Sequence, residues 1–255
     1  MMKKQKEQIN KSRLLSFPQN KMQLFLLHFA GGSCYSFDFL RSYINTDIDF
    51  IPLEIPGRGK RFKESPLKNK KEAIQDYVNQ VKSLRNDQPY LIYGHSMGAT
   101  LGLSVVNEMQ KRGDLPLHLI VSGNPGPGIK ELEVKQQRYL MNDSDFKKEL
   151  RKLGGVPEEV LESEELYDFF GPIMRADFEI LEKDDFSEEE IKIDAPIFAL
   201  MGSEEEKKGR IENWKNFTSK SFSSQIFKGN HFFIHDYPKE LAQIIIDRCT
   251  VAIVP

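Results

Sequence analysis

Cysteine is almost absent from the 255-residue chain. Cys34 and Cys249 stand far apart, so no disulfide framework organises the fold, and this scarcity fits a reducing compartment. An excess of one charge is also lacking: 36 Lys and Arg against 38 Asp and Glu leave a formal net charge of -2. That balance offers no electrostatic reason to expect nucleic acid or an anionic membrane as partner. Long apolar runs are missing too, none reaching the ~18 residues of a membrane-spanning helix. The opening "MMKKQKEQINKSRLLSFPQNK" is polar and basic, without the apolar core of a signal peptide. These absences lead us to expect a cytoplasmic protein, a monomer, with residues 1–20 as a flexible tail.

What is present is an alternation. "MQLFLLHF" (22–29) and "DIDFIPLEI" (47–55) are short apolar runs that stop at "AGG" and "PGRGKR", the profile of buried parallel strands feeding loops. "YLIY" (90–93), "LHLIVSG" (117–123), "PIFALMG" (196–202) and "FSSQIF" (222–227) continue the series. Between them lie helical stretches, one carrying Ile74, Tyr77, Val78, Val81 and Leu84 on a single face. Another, "MGATLGLSVVNEMQKRG", ends in basic residues and a glycine. Further helix is expected near "RIENWKNFTSK" and from Pro238 onward. Strand and helix in turn imply an α/β fold, a mostly parallel central sheet with helices on both faces. Residues 130–190 break the rhythm with charged helical text and no strand, which reads as an insertion into a core of 21–129 and 191–255.

The chemistry starts at "PYLIYGHSMGATLG", where Gly94 and Gly98 flank Ser96 at the junction of a strand and a helix. In that context G-x-S-x-G is a nucleophile elbow: the turn is too tight for side chains at the flanking positions, and the helix N-terminus lies beside the hydroxyl. The plainer reading is a glycine-rich turn whose serine caps the helix. A serine hydroxyl needs a base. Of the five histidines, His95 inside the elbow and His118 within a strand read as structural, and His28 ends the first strand where it would border the site. His231, in the loop after the last strand, occupies the place that the order Ser, acid, His requires, in preference to His235.

The base in turn needs a carboxylate to set its tautomer. The loop after the preceding strand, "FALMGSEEEKK", holds no aspartate but three glutamates. Glu205, three residues after Gly202, is the chosen acid; Glu204, Glu206 and Asp194 remain alternatives, and a solvated acidic cluster is the plain reading of all three glutamates. Two backbone donors complete an oxyanion hole. Met97, next after the nucleophile, supplies one, and Ala30 in "HFAGGS" the other. Cys34, with no elbow around it, reads as a small packed residue. No step of this chemistry calls for a cofactor or a metal.

"FAGGS", "PGRGKR", "GHSMGA", "VSGNPGP", "LRKLGGVPEEVL", "FFGPIMRADFEILE" and "GNHFFI" occur in an order and spacing that resembles the type II thioesterases, α/β-hydrolase enzymes that edit peptide and polyketide synthases. The likeness runs over about residues 22–246, and the segments around "LGGVPEEVL" and "RADFEILE" are its most specific part. It implies Ser96 as nucleophile, His231 as base, Ala30 and Met97 as oxyanion donors, and 130–190 as a helical lid over an acyl pocket. It also implies a substrate, an acyl or aminoacyl group on the phosphopantetheine arm of a carrier protein, and that carrier protein as partner. The chain departs from the family in having Glu205 in place of aspartate, Gly229-Asn230 in place of two glycines, and His28 in place of a proline. From the residues alone the reading stops at a serine hydrolase of esters, thioesters or amides. An acyltransferase, a general esterase and a hydrolase fold that only binds are the alternatives.

Overall fold

The computed structural model describes residues 21–129, 136–183 and 187–250. The tail expected over 1–20 lies outside them, as do residues 130–135 and 184–186 of the expected insertion. Six strands form one parallel sheet: β1 (Met22–Leu27), β2 (Ile48–Pro52), β3 (Tyr90–His95), β4 (His118–Ser122), β5 (Ile197–Gly202) and β6 (Phe222–Phe227), in the order β2-β1-β3-β4-β5-β6. The first two strands are shorter than their apolar runs, because the chain leaves the sheet at His28 and at Leu53 while remaining buried.

Side chains alternate along each strand and so feed two cores. Phe25, Leu27 and Ile92 pack with α2 (Lys70–Leu84) and α3 (Met97–Gln110) on one face. Leu24, Leu26, Leu91 and Tyr93 pack on the other with α1 (Asp38–Arg41) and α7 (Pro238–Thr250). The α2 helix forms where the periodicity places it, with Ile74, Tyr77, Val78 and Val81 buried together with Ala73 and the Asn69 side chain accepting the Glu72 N–H at 3.1 Å. Leu84, expected on the same face, is instead exposed at the last residue of the helix. The "RIENWKNFTSK" stretch forms 3-10 turns (Lys208–Phe217), pinned by Trp214, whose indole N–H donates to the Asn124 carbonyl at 2.7 Å.

Between β4 and β5 the described chain is helical: α4 (Asp143–Leu153), α5 (Glu158–Glu162) and α6 (Glu164–Glu182). Their apolar sides meet in a small cluster of Phe146, Leu150, Leu161, Tyr167, Met174 and Phe178, against which Ala30 of the main body also packs. No helix among the described residues is long and apolar enough to cross a membrane.

Strand β3 lies beside β1, while β2 lies on β1's other side. Successive crossovers therefore diverge at the β1/β3 boundary, leaving a crevice beyond the carboxyl ends of those strands. The loop after β1 and the turn after β3 face each other there.

Candidate active site

Ser96 sits at the end of β3 with φ 55° and ψ -111°, a conformation L-residues avoid. Its N–H donates to the Ser122 carbonyl at 2.8 Å, and its side chain makes no capping bond to α3, which sets aside the plain helix-cap reading. The flanking glycines answer to close backbone contact. A Cβ on Gly94 would lie 2.1 Å from the Gly98 carbonyl oxygen, and one on Gly98 would lie 2.1 Å from the Leu27 carbonyl oxygen. The glycines let α3 start hard against β1 and β3 and leave the hydroxyl at the helix N-terminus.

His231 and Glu205 come from two loops that are zipped together by main-chain bonds. Ser203 N–H donates to the Phe227 carbonyl at 2.6 Å and Glu204 N–H to the Gly229 carbonyl at 2.9 Å. A Cβ on Gly202 would fall 2.3 Å from the Asn230 carbonyl oxygen, so only glycine lets the loops approach this closely. Glu205 then reaches across. Its Oε2 stands 2.8 Å from His231 Nδ1, and its Oε1 accepts the Gly202 N–H at 2.7 Å. Both carboxylate oxygens are thus committed, which fixes the orientation of the carboxylate. Glu204 and Glu206 are exposed. Asp194 precedes β5 and bonds the Ser219 hydroxyl, at the opposite end of the sheet from the crevice.

The other histidines separate clearly. His118 opens β4 at the far end of the sheet, its pKa lowered to about 4 mainly by burial. His235 packs its ring on Phe39, 4.5 Å between centroids. His28 does not border the cleft as expected: it is wholly buried, its Nδ1 2.8 Å from the Phe29 carbonyl and its pKa lowered to about 4, by burial first and then by Arg58. His95 is buried as expected, yet it stands directly behind His231 with ring centroids 5.0 Å apart. Its Nδ1 meets Ser122 Oγ at 2.8 Å, and that oxygen meets the Tyr93 hydroxyl at 2.7 Å. Burial, with His231 nearby, holds His95 well below the usual imidazole range and therefore neutral.

Ala30 and Met97 line the same cleft as Ser96 and His231, and among the described residues neither of their N–H groups has a hydrogen-bond partner. Cys34 is buried and its thiol pKa is raised by that burial, as suits a packing role. The cleft measures about 1460 Å³, and Leu150, Phe170, Met174 and Phe178 of the insertion form its apolar wall. Such a wall beside a polar end suits an acyl chain with a reactive carbonyl.

A family model described as a thioesterase domain matches residues 22–249. The chain belongs to the thioesterase family. This thioesterase is 29% identical over 238 residues to the gramicidin S biosynthesis protein GrsT of Aneurinibacillus migulanus, covering 92% of the chain and 91% of that protein. Among solved structures, ClbQ from the colibactin peptide/polyketide synthase pathway superposes with a TM-score of 0.82 at 26% identity, over 90% of this chain and 97% of that one. YbtT, a type II thioesterase from the yersiniabactin pathway, gives 0.80 at 26% identity, over 91% and 94%. The thioesterase is accordingly a hydrolase of thioester bonds on an α/β-hydrolase fold, similar to enzymes of synthase pathways.

Sequence reasoning passed over four residues that the structure brings to the site. Phe232 lies edge-on to the His231 ring at 5.1 Å and covers Gly155 of the insertion, where a Cβ would lie 2.1 Å from the phenyl ring. Arg58 and Asp177 form a buried pair beneath the loop after β1. A signal for Asp177 was present: it is a carboxylate between Met174, Phe178 and Leu181 on the apolar stripe of its helix.

Proposed function

We propose that the chain is a type II thioesterase that frees acyl or aminoacyl groups from the phosphopantetheine arm of carrier proteins, with Ser96, His231 and Glu205 as its triad. The observation that carries this is the 2.8 Å bond from His231 Nδ1 to Glu205, within the cleft that Ser96 lines at the elbow. A carboxylate on Nδ1 leaves Nε2 of the neutral ring free to accept a proton.

The Ser96 hydroxyl adds to the thioester carbonyl carbon while His231 takes its proton. The Ala30 and Met97 N–H groups, which have no other partner among the described residues, receive the negative charge on the carbonyl oxygen. The carbon–sulfur bond breaks, and the thiolate leaves as a thiol with the proton from His231. Water then attacks the acyl-serine, giving its proton to His231, which returns one to Ser96 as the carboxylic acid departs. In this reading the described insertion helices are the lid over the acyl chain. The carrier protein stays outside, its arm entering the cleft.

The test is hydrolysis of a carrier protein loaded with an acyl-phosphopantetheine, followed by intact mass. Ser96→Ala is expected to lose about 10³-fold or more in kcat/KM while keeping the wild-type melting temperature. A variant that retained a tenth of wild-type activity would remove Ser96 from the mechanism.

A further inference from the structure

Two motifs whose residues the proposed mechanism leaves unused, "PGRGKR" and "RADFEILE", meet inside the protein. Arg58 of the first and Asp177 of the second are buried, with side-chain exposures of 3% and 0%. The contact is a fork on a fork: Nη1 donates to Oδ2 at 2.5 Å and Nη2 to Oδ1 at 2.7 Å. A buried ion pair is weak evidence of stabilisation in itself, since apolar residues of similar volume serve as well or better. The geometry around this pair gives it another use. Asp177 Oδ2 also accepts the Gly31 N–H at 2.7 Å, and Arg58 Nη1 reaches the Gly32 carbonyl at 3.5 Å.

Gly31 follows Ala30. The Phe29–Ala30 peptide is fixed through its carbonyl, which receives the Gly32 N–H at 2.9 Å and faces His28 Nδ1 at 2.8 Å. In a trans peptide the N–H points away from the carbonyl, so these bonds aim the Ala30 N–H outward. The next peptide, Ala30–Gly31, turns at a glycine with φ +77° and is anchored by Asp177. Farther along, Glu54 takes the Cys34 N–H at 2.9 Å and the Lys60 N–H at 2.7 Å, tying the same loop to the Arg58 loop. Asp177 is the single anchor of this loop among these that comes from the insertion.

We infer that Asp177, oriented by Arg58, is a positioning residue for thioester hydrolysis: it anchors the Ala30–Gly31 peptide so that the Ala30 N–H faces the developing oxyanion. Helix α6 is then part of the catalytic scaffold as well as a cover. The inference rests on the triad and oxyanion roles given under Proposed function.

Asp177→Asn tests it. An amide has one acceptor oxygen where the carboxylate uses two, so in either orientation its NH2 confronts a guanidinium N–H, and in one of them the Gly31 N–H as well. The expected result is a fall in kcat of about 10- to 100-fold with KM within about threefold, the signature of a group acting in the transition state. An alkyl boronic acid, whose tetrahedral serine adduct places an oxygen in the hole, loses affinity by a similar factor, and a non-hydrolysable thioether analogue of acyl-pantetheine binds as before. Arg58→Lys keeps a cation but loses the two-pronged contact that orients Asp177, so it is expected to lower kcat in the same sense as Asp177→Asn, by a smaller factor and with KM again unchanged. Should Asp177→Asn fold poorly, the double variant Arg58→Met with Asp177→Leu, which leaves no buried charge, is expected to show the same split. Wild-type kcat in a folded variant, or thioether affinity falling in step with kcat, overturns the inference. If the wild type neither hydrolyses acyl carrier protein nor is labelled at Ser96 by a fluorophosphonate, it is the functional reading that fails.

Discussion

Ser96 and His231 are held by main-chain bonds to the sheet, whereas the opposite wall of the cleft is held by side chains. On the sheet side, Ser96 N–H meets the Ser122 carbonyl, and the Glu205 loop meets the His231 loop through paired backbone groups. On the insertion side the ties are Arg138 to Glu182 at 2.8 Å, Arg175 to Asp143 at 2.7 Å, and the small Phe146 cluster. Main-chain bonds here depend on side chains chiefly where the backbones close up, at Gly94, Gly98 and Gly202, so elsewhere the groups proposed for bond breaking stand where the fold puts them. Side-chain ties can be exchanged one at a time, so the acyl wall is free to vary without moving the chemistry. Asp177 crosses that division, and Phe232 abuts it from the other side.

The contrast is sharpened first on the sheet side. Glu205→Ala is expected to cost about 10²-fold or more in kcat, because His231 loses the partner that sets its tautomer. Glu204→Ala, removing an exposed neighbour, is expected to stay within about threefold of wild type in the same acyl-carrier assay. Equal losses would mean that the loop matters only as a charged cluster.

A middle-sized effect is expected where the halves touch. Gly154 and Gly155 both have positive φ, +76° and +80°, so alanine strains either one. Only at Gly155 would the new methyl strike Phe232, at 2.1 Å against 3.8 Å for Gly154. Gly155→Ala is therefore expected to lower kcat/KM about tenfold beyond Gly154→Ala, with an added destabilisation of about 1–3 kcal/mol in denaturant titrations. Equal behaviour of the two would show that Phe232 moves aside freely.

A further effect, on stability alone, concerns the ring beneath the loop after β1. The unfolded chain binds a proton on His28 near pH 6.5, but the folded chain does so only near 4. The stabilisation from keeping this ring neutral is complete above pH 6.5 and is lost as pH falls toward 4, by at most about 1.4 kcal/mol per pH unit. Melting temperatures of the wild type should fall more steeply over that window than those of His28→Asn. Parallel curves would count against a buried neutral imidazole at this position.

The parallel sheet and the elbow were legible because each depends on local pattern: apolar runs ending at glycine, and two glycines at fixed distance from Ser96. Glu205 was reached by counting from Gly202, and the structure brings it, and neither of its glutamate neighbours, to His231. What sequence did not disclose depends on contacts between distant segments. Arg58 and Asp177 are 119 residues apart, and nothing local marks them as partners. His28 was misplaced for a related reason. Position at a strand's end suggests access to the cleft, but the chain carries the side chain inward against Tyr77 instead. The 3-10 turns of Lys208–Phe217 show tertiary anchoring, through Trp214, overriding a helical pattern.

The backbone at position 96, at φ 55°, is one that glycine occupies at ease and serine resists by about 1–3 kcal/mol. A sturdier molecule is therefore one atom group away, and under the proposed mechanism it would be inert. If Ser96 is the nucleophile proposed above, durability and turnover pull against each other at this residue, and a serine held there against its own preference is what that role costs.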